Sequence, residues 1–142
     1  MVILREKKGV EKEAFLKNAG AGWKLADAPG FSPEKISRIG FAVDLGTTTV
    51  VIAGFAFYKG AEDVVCIGKK SALNAQTGLG RDVMMRIMHA VSGKRKELQQ
   101  MIVAQIEALA KEILESAGIS AVEAAIRGKT EFIIVGNTTM SH

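Results

Sequence analysis

The sequence predicts an α/β fold: a three-stranded antiparallel meander, a helical crossover, and a further strand parallel to the meander. Three observations predict it. Between residues 38 and 68 three apolar runs are separated by short polar turns, the pattern of strands joined by hairpins. From Asp82 onward the apolar residues recur at helical spacing. A last apolar run, Glu131–Val135, follows that helical stretch, and a strand reached by a long crossover pairs parallel.

Residues 1–38 precede this unit and differ from it. They hold both prolines and the single tryptophan among mixed charges. Val10–Asn18 reads as a short helix stopped at Gly20, Ala19–Gly22 and Ala28–Gly30 as breakers, and Ser32-Pro33-Glu34 as a turn or one helical turn. The segment is expected to be a linker or the remnant of a preceding domain, with Trp23 and Phe31 docking it on the body, or else a partly ordered tail. The domain proper is expected over 39–142.

The first strand is expected over Arg38–Leu45 and the second over Thr49–Tyr58. After a turn at Lys59-Gly60 the third runs over Glu62–Gly68, and Lys69–Gly80 follows as a polar loop. Asp82 is placed to cap a helix that carries Val83, Met84, Ile87, Met88 and Val91 on one face. Ser92-Gly93 interrupts it. A second helix presents Leu98, Ile102, Ile106, Leu109 and Ile113 at spacings of three and four, and Gly118 is its stop. Ser120 and Glu123 have the spacing of a capping box, which starts a short third helix ending near Gly128. The fourth strand, Glu131–Val135, is expected to be buried. Met84, Met85 and Met88 are expected in core and subdomain packing. If exposed, they favour self-association, together with Met101, Ile102 and Ile106.

Composition bounds the function classes. The chain has 142 residues, 48% of them apolar, which suffices for one core. The net charge of +4 is spread along the chain and forms no dense basic stripe, which argues against nucleic acid as a partner. No run of eighteen apolar residues exists, so no transmembrane helix is expected, and a cytoplasmic protein is the default. The single cysteine, Cys66, lies in an apolar run and reads as a buried small hydrophobe; one thiol builds no iron–sulfur cluster. His89 and His142 stand in no metal-ligand spacing, and His89 reads as a surface or partly buried helix residue.

The chemistry concentrates at the first turn, Asp44-Leu45-Gly46-Thr47-Thr48-Thr49, between two apolar strands. Gly46 permits close backbone approach and positive φ. The amides and hydroxyls of Thr47, Thr48 and Thr49 suit an anion. Asp44, where the first strand ends, suits a magnesium ion, directly or through water. The alternative is a plain structural hairpin. A second stretch, Val135-Gly136-Asn137-Thr138-Thr139, repeats the change from apolar strand to glycine and paired threonines. If both turns lie at one edge of the sheet, they form two walls of one phosphate site.

The first turn resembles the first phosphate motif of the actin-like ATPase superfamily, whose ribonuclease H-like subdomain begins β-β-β-α-β. Four stretches extend the likeness: Gly40–Thr49, Ser71–Gln76, Gly80–Val83 with Arg86-Ile87, and Val135–Met140. Together, over about residues 39–142, they resemble the ATPase domain of reductive activators of corrinoid proteins. The resemblance implies ATP and Mg2+ as cofactors and a corrinoid protein as partner. It implies that Asp44 orients the magnesium and its water as the catalytic carboxylate. Gly46, Thr47, Thr48 and Thr49 would wrap the terminal phosphates, and Gly136, Asn137, Thr138 and Thr139 would line the opposite wall. Asn74 and Gln76, in the loop after the third strand, either reach the cleft or a partner, or simply cap the loop. Arg81 and Asp82 are expected to form a local pair, with Asp82 capping the helix.

The second phosphate motif, the adenosine motif and a ferredoxin-type cysteine cluster are missing from these residues. The chain is therefore expected to be a fragment, inactive alone, of an ATP-hydrolysing parent. Two rival functions remain open. One is a non-catalytic interaction module, an actin-like half-domain that docks on a partner or pairs with itself. The other is a small-molecule kinase of the same superfamily, which fits Asp44 and the Gly-Thr turn equally and the Asn74–Gln76 and Gly136–Thr139 stretches less well.

Overall fold

A computed structural model describes residues 2–3, 33–58, 64–80, 82–120 and 130–136. The strands are β1 (Val2–Ile3), β2 (Ile36–Leu45), β3 (Thr49–Tyr58), β4 (Val64–Leu73) and β5 (Thr130–Gly136). The helices are α1 (Val83–His89) and α2 (Arg95–Ser116). One sheet takes all five strands in the order β1-β5-β2-β3-β4. The meander β2-β3-β4 is antiparallel, and β5 runs parallel to β2, as the periodicity predicts.

Strands β2, β4 and β5 are longer than expected, β5 by one residue at each end, and β1 was not expected. β2 begins at Ile36, so residues 36–38 belong to the sheet; Ile36 and Ile39 are both buried. Val2–Ile3 pairs parallel with Phe132–Ile133, giving β5 a ladder partner on its outer side. β4 continues through Lys69–Leu73, where the polar sequence suggests a loop. Charged residues are tolerated because β4 is the last strand of the sheet, and Lys70 Nζ reaches Glu112 of α2 at 3.0 Å.

The helix α2 covers one face of the sheet with Leu98, Ile102, Ile106, Leu109, Ala110, Ile113 and Leu114 buried. Against them lie Phe41, Val43, Leu45, Val50, Ile52 and Ile67. The concern that Ile102 and Ile106 are exposed is thereby answered: both are core. Gly54 and Gly68 face each other across β3 and β4, and both lie beneath Ile113. A Cβ on either would stand 3.0–3.1 Å from Ile113 Cγ2, so the glycine pair sets how closely helix and sheet approach.

The end of α2 follows from Gly118. With φ 70° it turns the chain, Ile119 N donates to Leu114 O at 2.8 Å, and Gly118 N donates to Glu115 O at 3.1 Å. This is the paired hydrogen-bond pattern of a Schellman motif, with buried Ile119 and Leu114 as its apolar contact. Between the helices, Ala90–Lys94 forms a wide turn in which Gly93 leaves helical geometry at φ 96°. The interruption read from Ser92-Gly93 is this turn.

Three burial expectations are corrected. β5 is half-buried, with Phe132 and Ile134 packed on the core and Ile133 54% exposed, because its side chains alternate between the two faces. Cys66 is half-buried. Most apolar residues of α1 face outward: Met84 and Met88 are each 67% exposed, and Met85 and Ile87 are exposed as well, as is Val91 in the turn that follows at 83%. The buried residue of α1 is Arg86. A seven-residue helix has one face to bury, and the hydrogen bonds of Arg86 take it. The expected helix near residues 120–128, Trp23, Phe31 and His142 lie outside the described residues.

Candidate functional site

The first turn joins β2 to β3 through Gly46 N, which donates to Thr49 O at 3.0 Å. Gly46 is required by closeness: a Cβ there would lie 2.7 Å from Thr49 O. Its φ is not positive, since among the described residues only Gly93 and Gly118 adopt that region. Thr48 and Thr49 are exposed and Thr47 is half-buried. Asp44, also half-buried, is the last residue but one of β2.

The parallel register places the second stretch. Asp44 pairs with Val135 and Leu45 with Gly136, so the C-terminal ends of β2 and β5 are level. Gly136 therefore stands at the same sheet edge as the Gly46–Thr49 turn. Asn137, Thr138, Thr139 and Arg81 lie outside the described residues. In open α/β sheets this edge, at the carboxyl ends of parallel strands, is where ligands collect.

The loop after β4 braces the turn from the other side. Asn74 is fully buried. Its Nδ2 donates to Gly46 O at 2.7 Å, its backbone N donates to Thr48 O at 2.7 Å, and its Oδ1 accepts from Gln76 N at 2.9 Å. Gln76 Nε2 donates to Leu98 O of α2 at 2.8 Å. Both side chains are directed to main-chain partners within the fold. Gln105 of α2 adds a clamp, donating to Leu73 O at 2.6 Å and accepting from Ala75 N at 2.9 Å.

Arg86 completes the bracing, a role that its place in the sequence does not announce. It is 4% exposed. Nε donates to Gly80 O at 2.9 Å and Nη2 donates to Thr47 O at 2.6 Å. Burial lowers its pKa from the ordinary arginine value, and the charge of Asp82 opposes that shift. The group stays a cation, because arginine keeps its proton across the accessible range. Asp82 also caps α1 by accepting from Met85 N at 2.8 Å. The available signal was positional: a basic residue four after the helix cap, in a helix otherwise apolar at its centre.

The donor set suits a phosphate. Two exposed threonines supply hydroxyls, and a carboxylate stands at the adjacent strand end. Among the described residues no three His, Cys, Asp or Glu side chains cluster as a protein-only metal site. A hard cation held by one carboxylate and by phosphate oxygens needs no such cluster. Among the described residues no helix is long and apolar enough to cross a membrane.

A family model described as the RACo middle region matches residues 39–142. Among solved structures, a reductive activator for corrinoid, iron-sulfur protein is similar at 28% identity with a TM-score of 0.60. That alignment covers 75% of this chain and 16% of the activator. The Aquifex aeolicus Ppx/GppA phosphatase aligns over 70% of this chain and 36% of its own at 8% identity, with a TM-score of 0.25 that carries no argument. No curated protein matches the chain. The meander, helical crossover and parallel strand are those of a ribonuclease H-like subdomain, shared with the activator.

Proposed function

The chain belongs to the RACo middle-region family, and from that premise we propose that it forms a phosphate-binding edge in a nucleotide-dependent reductive activator of a corrinoid protein. The observation that carries the reading is the level pairing of Leu45 with Gly136, which brings Gly136 to the sheet edge of the Gly46–Thr49 turn, beside Asp44. The main-chain amides and hydroxyls of Thr47, Thr48 and Thr49 hold phosphate oxygens, with Asn137, Thr138 and Thr139 on the facing side. Asp44 holds Mg2+ through water. ATP, when bound, supplies the free energy of its hydrolysis. This chain's part is to bind and orient the phosphates and to keep the metal's water shell in place. The corrinoid partner is carried over from the similar activator of a corrinoid, iron-sulfur protein.

The test is Mg2+-dependent ATP turnover by the native protein in the presence of a corrinoid iron–sulfur protein. Asp44→Ala is expected to abolish it; unchanged turnover rejects the reading. The matched span is 16% of the activator, and it offers one edge of a cleft. The 142-residue chain by itself is therefore expected to bind Mg-ATP more weakly than about 1 mM by calorimetry. A second reading, self-pairing, is favoured by the exposed Met84, Met88 and Val91. Size-exclusion chromatography with and without Mg-ATP separates the two, since only the first makes behaviour depend on nucleotide.

A further inference from the structure

Three consecutive carbonyls of the first turn are each held by a donor from beyond β4. Gly46 O receives Asn74 Nδ2 at 2.7 Å, Thr47 O receives Arg86 Nη2 at 2.6 Å, and Thr48 O receives Asn74 N at 2.7 Å. In a planar trans peptide, the carbonyl of one residue and the N–H of the next point in opposite directions. The described residues contain no cis peptide. Holding these carbonyls from the β4 side therefore turns the amides of Thr47, Thr48 and Thr49 away from that side.

We propose that Arg86 and Asn74 are positioning residues that aim the Thr47–Thr49 amides at an inorganic polyphosphate or nucleotide phosphate chain, an inference that rests on the phosphate-edge reading above. Neither side chain touches the ligand. Each acts through the carbonyl it holds, and pre-setting the amides removes an ordering cost from binding.

The arrangement of α1 supports this role. The helix turns its charged residue inward and its methionines outward, against the ordinary partition of side chains. Two carbonyl bonds from a planar guanidinium compensate for burying the charge. Gly80 makes the approach possible, since a Cβ there would lie 2.8 Å from Met85 Cβ and 3.2 Å from Arg86 N. The fork is what matters: Nε and Nη2 reach Gly80 O and Thr47 O together. A lysine keeps the charge but has a single ammonium, without the fixed fork that spans both.

The test is a titration of the 15N-labelled chain with sodium tripolyphosphate and Mg2+, followed at the Thr47, Thr48 and Thr49 amides. Wild type is expected to show shifts at these amides that grow through the millimolar range, as a single cleft edge allows. Arg86→Gln and Arg86→Lys are both expected to weaken binding about tenfold, the loss expected for a charged hydrogen bond. Failure of lysine to rescue separates positioning from simple charge attraction. Lysine restoring wild-type affinity overturns the proposal and leaves the phosphate edge standing. Wild-type shifts absent from Thr47–Thr49 overturn both. Dispersed α2 amides, such as those of Ile106 and Ile113, report that each variant is folded. Should the variants not fold, the wild-type protein decides. Phosphate on the amides polarises the same peptides, so the buried Arg86 guanidinium N–H resonances are expected to shift in step with Thr48. Their remaining fixed overturns the proposal.

Discussion

Asn74 Nδ2 lies 2.7 Å from the carbonyl oxygen of Gly46, a residue 28 positions earlier in the chain. The bond is made by a fully buried side chain, whose Oδ1 also caps the following turn at Gln76 N. Removing that side chain leaves a carbonyl and an amide without these partners. Asn74→Ala is therefore expected to destabilise the fold by about 2–3 kcal/mol, the usual cost of leaving a buried polar group unsatisfied. Urea unfolding of wild type and variant measures it. A loss below about 0.5 kcal/mol, the range of an ordinary surface change, contradicts the bracing role.

The glycine pair beneath α2 leads to a coupling prediction. Gly68→Ala places a methyl 3.1 Å from Ile113 Cγ2, so the Ile113 side chain must give by a few tenths of an ångström. Overpacking of this kind costs about 1–3 kcal/mol. Ile113→Ala alone is expected to cost about 2–5 kcal/mol, since Ile113 is 1% exposed. Together the two changes are expected to cost less than their sum, because the second removes the atom that the first strikes. A double-mutant cycle read by denaturant unfolding checks this, and strict additivity refutes the contact.

The outward methionines lead to the opposite kind of prediction. Met84 and Met88 are each 67% exposed. Replacing both by Gln is expected to change stability by no more than about 0.5 kcal/mol each. If the chain self-associates through this face, the same change lowers the sedimentation-derived association constant. A loss of several kcal/mol in thermal or urea unfolding shows instead that these side chains pack in the core.

The order of strands and helices was legible because periodicity reports burial within one element. Leu98, Ile102, Ile106, Leu109 and Ile113 share a stripe on α2, and all five are buried. Gly118 was legible as a stop because a positive φ suits glycine, and it has one. The same reasoning failed on α1. Val83, Met84, Ile87, Met88 and Val91 share a stripe as well, yet most of them face outward. A short helix is oriented by its strongest tertiary contacts, and those of Arg86 reach Thr47, 39 residues away. The extension of β4 through Lys69 and Lys70 was missed because an edge strand places charges where a central strand would not.

At the candidate site the division is similar. The sequence by itself determined the α/β order, the turn Asp44–Thr49 between two strands, and its likeness to the Val135–Thr139 stretch. These are local patterns, set by steric preference and alternation along a few residues. Only the tertiary structure decided that Gly136 stands level with Leu45, that Asn74 faces inward, and that Arg86 holds the turn. Strand register and long-range hydrogen bonds depend on how whole elements pack. Close approach rather than φ is likewise what requires a glycine at position 46, because Thr49 O occupies the space a side chain would need.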